Sequence, residues 1–177
     1  VGRGTRAMTE LRPGAVLSLL GPLGRGFPPP APDCLPVLVA GGYGMAALYL
    51  QAREAGRAGV VFVGGASAVD VLCVPEFEAL GWEVHIATED GSRGVHGLVT
   101  DALDAWLEEA LAGRTPEFFA CGPNGMLRAV AERAIACGWR AWISMDRSMG
   151  CGVGACLTCV QKVRDPSRPD GWTWARV

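Results

Sequence analysis

Residues 35–55 read LPVLVAGGYGMAALYLQAREA, and this stretch decides the fold. From Leu35 to Ala40 the text is apolar without alternation, the pattern of a strand covered on both faces. Gly41, Gly42 and Gly44 follow at once, and Met45 to Ala55 continues with helical character. A buried strand, a glycine turn and a helix form the first half of a strand–helix–strand unit, the building block of a parallel sheet.

The alternation continues downstream. Val60 to Val63 reads as a second strand, Pro75 to Leu80 as a short helix and Glu83 to Ala87 as a third strand. Leu98 to Leu111 reads as a helix with Leu98, Leu103, Leu107 and Leu111 near one face. Phe118 to Cys121 is a fourth strand, Asn124 to Cys137 a helix and Ala141 to Met145 a fifth strand. The expected architecture is α/β, with a mainly parallel five-stranded sheet over residues 33–145. Upstream, residues 15–20 (VLSLLG) read as a strand, and Pro28, Pro29 and Pro30 mark a linker, because proline cannot sit in a central strand or helix interior. That separates a first region, 1–32. From Asp146 onward glycine, cysteine and polar residues dominate, which reads as a small separate lobe over 146–177. The text opens at Val1 with no start methionine and no amphipathic leader, as a chain with its front removed would.

Half of the 177 residues are hydrophobic, enough to bury a core, and 16 basic against 18 acidic residues leave a net charge of −2. Without a basic patch interleaved with aromatics, the composition excludes nucleic acid and anionic membranes as partners. Residues 34–52 carry no charge, but Pro36 and the three glycines break the stretch into two elements rather than one membrane span. Seven cysteines with no secretory signal, three of them within nine residues, read as metal ligation in a reducing, cytoplasmic compartment.

Four motifs carry chemistry. Gly41, Gly42 and Gly44 let the backbone approach a ligand closely, and the helix behind them offers free N–H groups and a positive dipole end to a pyrophosphate. The strict G-x-G-x-x-G fingerprint is not met, and a plain strand-to-helix turn stands as the structural alternative. Cys121-Gly122-Pro123 ends the fourth strand at the carboxyl edge, where open parallel sheets bind ligands. There the Cys121 thiol can pack beside a nicotinamide, or serve as an ordinary apolar cysteine. Asp90, Gly91 and Ser92 follow the third strand at the same edge, and Asp90 and Ser92 can bond ribose hydroxyls or simply form a polar turn. After the second strand, Gly64-Gly65-Ala66-Ser67 offers no arginine for a 2′-phosphate, which favours NAD over NADP, although Arg57 or Arg93 can reach by folding.

The sharpest motif is Cys151-Gly-Val-Gly-Ala-Cys156-Leu-Thr-Cys159. Its C-x4-C-x2-C spacing is that of plant-type [2Fe-2S] ligation, which requires a fourth cysteine. Gly150, Gly152 and Gly154 free the loop to wrap a cluster and bare its N–H groups toward the sulfurs. Zinc is the rival, but structural zinc usually takes paired C-x2-C units, and His85 and His96 lie far back. No cysteine follows Cys159, so a fourth ligand is expected from outside this sequence.

Together these motifs resemble the electron-transfer subunit of class 1B dihydroorotate dehydrogenase, a ferredoxin-reductase-like flavoprotein. Asp90-Gly91-Ser92 with Gly94, Gly97 and Val99-Thr100-Asp101 is similar to its DGSxGxxGxVTD loop, and the CGP turn and cysteine loop match in order. Gly21 to Phe27 is similar to its GPLGxGF junction, and Gly2, Gly4 and Thr5 to a stretch lying against the FAD pyrophosphate. Ala47 stands where the family usually has proline, Asp146-Arg147 replaces a glutamate pair, and Thr158 replaces a glycine. The family's upstream flavin-binding barrel and C-terminal C-x-D-G-P-V segment are not in the text, so residues 1–32 read as a β-barrel remnant. Trp174-Ala-Arg-Val177 resembles the strand leading into the missing cysteine.

The resemblance implies three cofactors, [2Fe-2S], FAD and NAD, and a partner, the FMN-containing dihydroorotate dehydrogenase catalytic subunit, in a heterotetramer of pyrimidine biosynthesis. It implies that Cys151, Cys156 and Cys159 hold the cluster and that NAD(H) reacts beside Cys121. The alternatives are a subunit of another flavin and iron–sulfur oxidoreductase, such as NADH-dependent ferredoxin:NADP reductase, and a zinc-binding interaction module.

Overall fold

The computed structural model describes residues 2–109, 113–145 and 147–176. Val1, Leu111, Asp146 and Val177, all named above, lie outside the described residues. In chain order the elements are α1 (Arg3–Thr9), β1 (Leu35–Gly41), α2 (Gly44–Glu54), β2 (Val60–Gly65), α3 (Val74–Ala79), β3 (Glu83–Thr88), β4 (Val95–His96), α4 (Val99–Glu109), β5 (Pro116–Cys121), α5 (Asn124–Cys137), β6 (Arg140–Ser144), β7 (Val160–Arg164) and β8 (Trp172–Arg176). No helix among the described residues is long and apolar enough to cross a membrane.

The chain divides into two compact units. One spans Gly26–Ser148, and the other joins Val1–Arg25 to Met149–Arg176. These compact units fall at other boundaries than the expected regions: residues 1–25 group with residues 149–176, and residues 26–32 group with the sheet. Three contacts hold them there. Phe27 packs edge-on against Phe119 at 5.7 Å, Gln51 Nε2 donates to the Pro28 carbonyl at 2.9 Å, and the Ala31 N–H donates to Glu117 Oε2 at 2.6 Å.

In the larger unit six strands pair in parallel in the order β4-β3-β2-β1-β5-β6. The expected five become six because β4 adds two residues beside Ala87 and Thr88, too short a segment for any periodicity to reveal. Alternation along each central strand sends residues to opposite faces. Val37, Val39, Phe62, Phe118 and Ala120 meet Leu103 and Trp106 of α4 and Leu127 and Val130 of α5. Leu38, Ala40, Val61, Val63 and Phe119 meet Met45 and Leu48 of α2 and Phe77 of α3. Two buried faces explain why these strands read as unbroken apolar runs. Gly138, at φ +68°, closes α5 in the left-handed conformation that glycine accepts at a helix C-terminus.

The smaller unit contains α1 and an antiparallel hairpin of β7 and β8, in register from Val160 opposite Arg176 to Arg164 opposite Trp172. Lys162 lies over the Trp172 ring at 5.0 Å. The strand expected at residues 15–20 does not form: Val16 is 96% exposed and Leu19 87%. A strand needs a ladder partner and a face to bury, and no described segment supplies either to VLSLLG.

Candidate functional site

The strand order places β1 and β5 side by side while their chains depart in opposite directions, β1 toward β2 and β5 toward β6. This is the topological switch point, where an open parallel sheet presents a crevice beyond its carboxyl ends. Ala40 pairs with Cys121, so the two strands end level. The glycine turn and the CGP turn then pack directly together. A Cβ on Gly44 would stand 2.0 Å from the Cys121 carbonyl oxygen, and one on Gly41 would stand 2.6 Å from Pro123 Cδ. Gly122, at φ +155°, would drive a Cβ to 2.8 Å from Met126 Cε and 2.9 Å from the Gly41 nitrogen. Only glycine allows these two backbones to meet. Cys121 is half-buried, and Tyr43, in the turn, is 89% exposed. The start of α2 follows directly, and its Met45 and Ala46 N–H groups donate to the Gly42 and Tyr43 carbonyls at 3.4 and 3.2 Å.

The loop carrying Asp90, Gly91 and Ser92 lies at the same carboxyl edge, after β3. Its polar groups are largely committed to building the loop. Asp90 Oδ1 accepts the Ser92 N–H at 2.9 Å and its hydroxyl at 2.6 Å, and the Ser92 oxygen accepts the Ala68 N–H at 2.7 Å. The Ser92 hydroxyl and N–H hold the Asp90 carboxyl below its ordinary range. Gly94 folds against β3, where a Cβ would meet the Ile86 carbonyl oxygen at 2.1 Å. Asp101 Oδ2 accepts the Leu98 N–H at 2.9 Å and so fastens the entry to α4.

In the smaller unit the cysteine loop runs from Met149 to Cys159. Cys151 and Cys156 are exposed and Cys159 is half-buried. Ala155 N–H and Cys156 N–H point at Cys151 Sγ from 3.3 and 3.5 Å. The N–H groups of Cys156, Val153 and Ala155 pull the Cys151 thiol from an ordinary 9.0 down to about 6. Gly152 and Gly154, both at positive φ, make the tight path that turns these N–H groups inward. Cys156 Sγ lies 3.1 Å from Thr158 Oγ1, and Arg176 Nη2 of β8 donates to the Gly154 carbonyl at 3.1 Å.

Residues 146–172 match the family model described as the iron-sulfur cluster binding domain of dihydroorotate dehydrogenase B. The dihydroorotate dehydrogenase B (NAD(+)) electron transfer subunit of Geobacillus kaustophilus is 42% identical over 167 residues, covering 90% of this chain and 61% of that one. The corresponding subunit of Caldanaerobacter subterraneus is 34% identical over 180 residues, covering 99% of this chain and 67% of that one. The chain belongs to this family of electron transfer subunits. It spans about three-fifths of the length of the first curated dihydroorotate dehydrogenase B relatives it matches. A solved structure described as an NADH-dependent reduced ferredoxin-NADP oxidoreductase, from a study of flavin-based electron bifurcation, superposes with a TM-score of 0.70 at 29% identity. That match covers 90% of this chain and 58% of the other.

Cys151, Cys156 and Cys159 sit on one glycine-loosened loop. Among the described residues no three His, Cys, Asp or Glu side chains converge as a metal-sized group. The donor chemistry nevertheless fits an iron–sulfur group: a sulfur ringed by N–H groups is prepared to be a thiolate, the form that ligates metal. Cys121 and Cys137 lie in the other compact unit.

Gly2, Gly4 and Thr5 are exposed at the start of α1, with no atom within 4 Å of a Cβ on either glycine. By themselves they form no flavin pocket. Arg57, named above as able to reach a 2′-phosphate, is turned to the amino edge of the sheet instead. Its guanidinium donates to the carbonyls of Ala31 and, at 2.7 Å, Cys34. Sequence reasoning missed Arg176, Glu117 and the contact of Thr158 with Cys156. The spacing within a loop does not show which distant strand will fold beside it.

Proposed function

We propose that this chain is the nicotinamide-binding and iron–sulfur portion of an electron-transfer subunit. The whole subunit passes electrons in the cytoplasm between an FMN-containing dihydroorotate dehydrogenase subunit and NAD, through [2Fe-2S] and FAD, within a heterotetramer. One observation carries the reading: a C-x4-C-x2-C loop whose first sulfur is prepared as a thiolate shares a chain with a glycine-lined switch point. Bound in these places, a nicotinamide exchanges a hydride, a flavin exchanges one or two electrons and a [2Fe-2S] group exchanges one, so pairs of electrons can be divided into singles.

The residues have distinct tasks. Gly41, Gly42 and Gly44 open the backbone to a dinucleotide pyrophosphate at the start of α2. Gly122 and Pro123 hold the rim on which Cys121 presents its thiol to a nicotinamide ring. Asp90, Gly91 and Ser92 hold the loop after β3 beside the ribose end, and Asp90 remains exposed enough to accept a hydroxyl. Cys151, Cys156 and Cys159 supply three thiolates, with a fourth ligand from the longer protein. Gly2, Gly4 and Thr5 contribute to a flavin site that the rest of the protein completes.

Iron, acid-labile sulfide and visible absorption of the intact gene product, purified without oxygen, test the reading. Stoichiometric iron and sulfide with a flavin spectrum are expected. Zinc in place of iron, or a colourless metal-free protein, overturns it. The likeness to the ferredoxin-NADP oxidoreductase structure favours a second reading, in which the partner is a different flavoprotein. Co-purification from the source cell distinguishes the two, because an FMN dihydroorotate dehydrogenase is recovered only in the first case.

A further inference from the structure

We infer that the Thr158 hydroxyl tunes the electron affinity of the group held by this loop, by donating a hydrogen bond to the Cys156 sulfur. The inference rests on the iron–sulfur reading above and names a residue to which that reading gives no part. Thr158 Oγ1 lies 3.1 Å from Cys156 Sγ, and between a free thiol and a hydroxyl either atom can be the donor. A metal-bound thiolate carries no proton. In that state the direction is settled: the hydroxyl donates and the sulfur accepts.

The pair is held by the backbone around it. A Cβ on Gly150 would stand 3.1 Å from Cys156 Sγ and 3.4 Å from Thr158 Oγ1, so the chain at Gly150 closes directly over both atoms. Leu157, between them, is at φ +58°, a conformation that leucine rarely adopts and that persists only where the surroundings impose it. The contact therefore belongs to a defined bend rather than to two freely rotating side chains. Cys151 differs, because its donors at 3.3 and 3.5 Å are main-chain N–H groups that every sequence keeps. Thr158 is a side-chain donor that substitution can remove.

The physical effect has one sign. Reduction adds one electron to the iron–sulfur group, and negative charge on the ligating sulfurs grows. A donor fixed at a sulfur stabilises the reduced form more than the oxidised form and raises the reduction potential. The proton stays on Oγ1 throughout. Thr158 thus acts through Cys156 and is not itself a catalytic residue.

The test is an equilibrium redox titration of the intact gene product, made without oxygen and followed by visible absorption and electron paramagnetic resonance. Thr158→Val, of nearly equal volume, should lower the equilibrium constant for reduction about tenfold, which for one electron is about 59 mV. Thr158→Ser, which keeps the hydroxyl, should stay near the native potential. A Thr158→Val protein with the native potential overturns the inference, as does Thr158→Ser shifting as far as Thr158→Val. Should the valine variant fail to hold the group, Thr158→Ala is read in its place, and an unchanged potential is again fatal. Absence of iron from the unsubstituted protein would instead remove the iron–sulfur reading, a result distinct from iron present with an unmoved potential.

Discussion

Gly44, the first residue of α2, lies against the Cys121 carbonyl oxygen so closely that a methyl group there would stand 2.0 Å from it. The obstacle is main chain, which cannot rotate away as a side chain can. Gly44→Ala should therefore force the two turns at the switch point apart. We expect a loss of about 1–3 kcal/mol in urea unfolding, as for other overpacked sites, with nicotinamide binding weakened at least tenfold. Native stability and native NADH affinity in this variant would show that the contact positions nothing.

Glu117 predicts a second effect. It is 2% exposed, and its two oxygens accept the Ala31 N–H at 2.6 Å and the Trp142 indole N–H at 2.8 Å. A glutamine has one acceptor oxygen and an amide group that would face a donor. Glu117→Gln should destabilise the sheet unit by about 1–3 kcal/mol, the usual cost of a buried group left unsatisfied. Chemical denaturation followed by tryptophan fluorescence measures it, and an unchanged midpoint would contradict the assignment.

Arg176 predicts a third. It reaches from β8 to the Gly154 carbonyl, between Cys151 and Cys156. Arg176→Met keeps most of the stem and removes the donor. Iron retained after anaerobic reconstitution should fall, while unfolding of the sheet unit should stay within about 0.5 kcal/mol of native. Native iron content with a disturbed sheet would reverse the assignment.

The metal-free chain should show a distinctive pH dependence at Cys151. Because main-chain N–H groups lower its folded pKa to about 6 from an ordinary 9.0, the thiolate dominates at neutral pH. Alkylation followed by peptide mass spectrometry should mark Cys151 at pH 7 ahead of the other thiols, with a rate midpoint near 6. The lowered pKa favours the folded loop fully above the unfolded value near 9.0, and that support is lost as pH falls through about 6. A midpoint near the ordinary value would mean that the N–H groups do not reach the sulfur.

Much of the larger unit was legible in the chain. Alternating apolar runs and helical stretches located β1, β2, β3, β5 and β6, because burial on both faces keeps β1 and β2 apolar throughout and β5 apolar but for Glu117. The helix read over Asn124–Cys137 forms with those bounds. The hairpin of β7 and β8 was not read as such, because its exposed strands mix Lys162, Arg164 and Trp174 with no apolar period. VLSLLG failed in the opposite sense: its apolar text is strand-like, yet the described residues give it no partner.

The sequence by itself determined the layered α/β class and the order of glycine turn, CGP turn and cysteine loop, and it nominated three thiols as candidate ligands. These follow from local requirements: which residues tolerate burial, which permit a tight turn, which ligate metal. Only the tertiary structure decided that Gly44 meets Cys121, that Arg57 is committed to the linker, and that Arg176 and Thr158 attend the cysteine loop. Contacts between residues far apart in the chain, or across a loop's own bend, depend on strand order and backbone path. No spacing along the sequence records either.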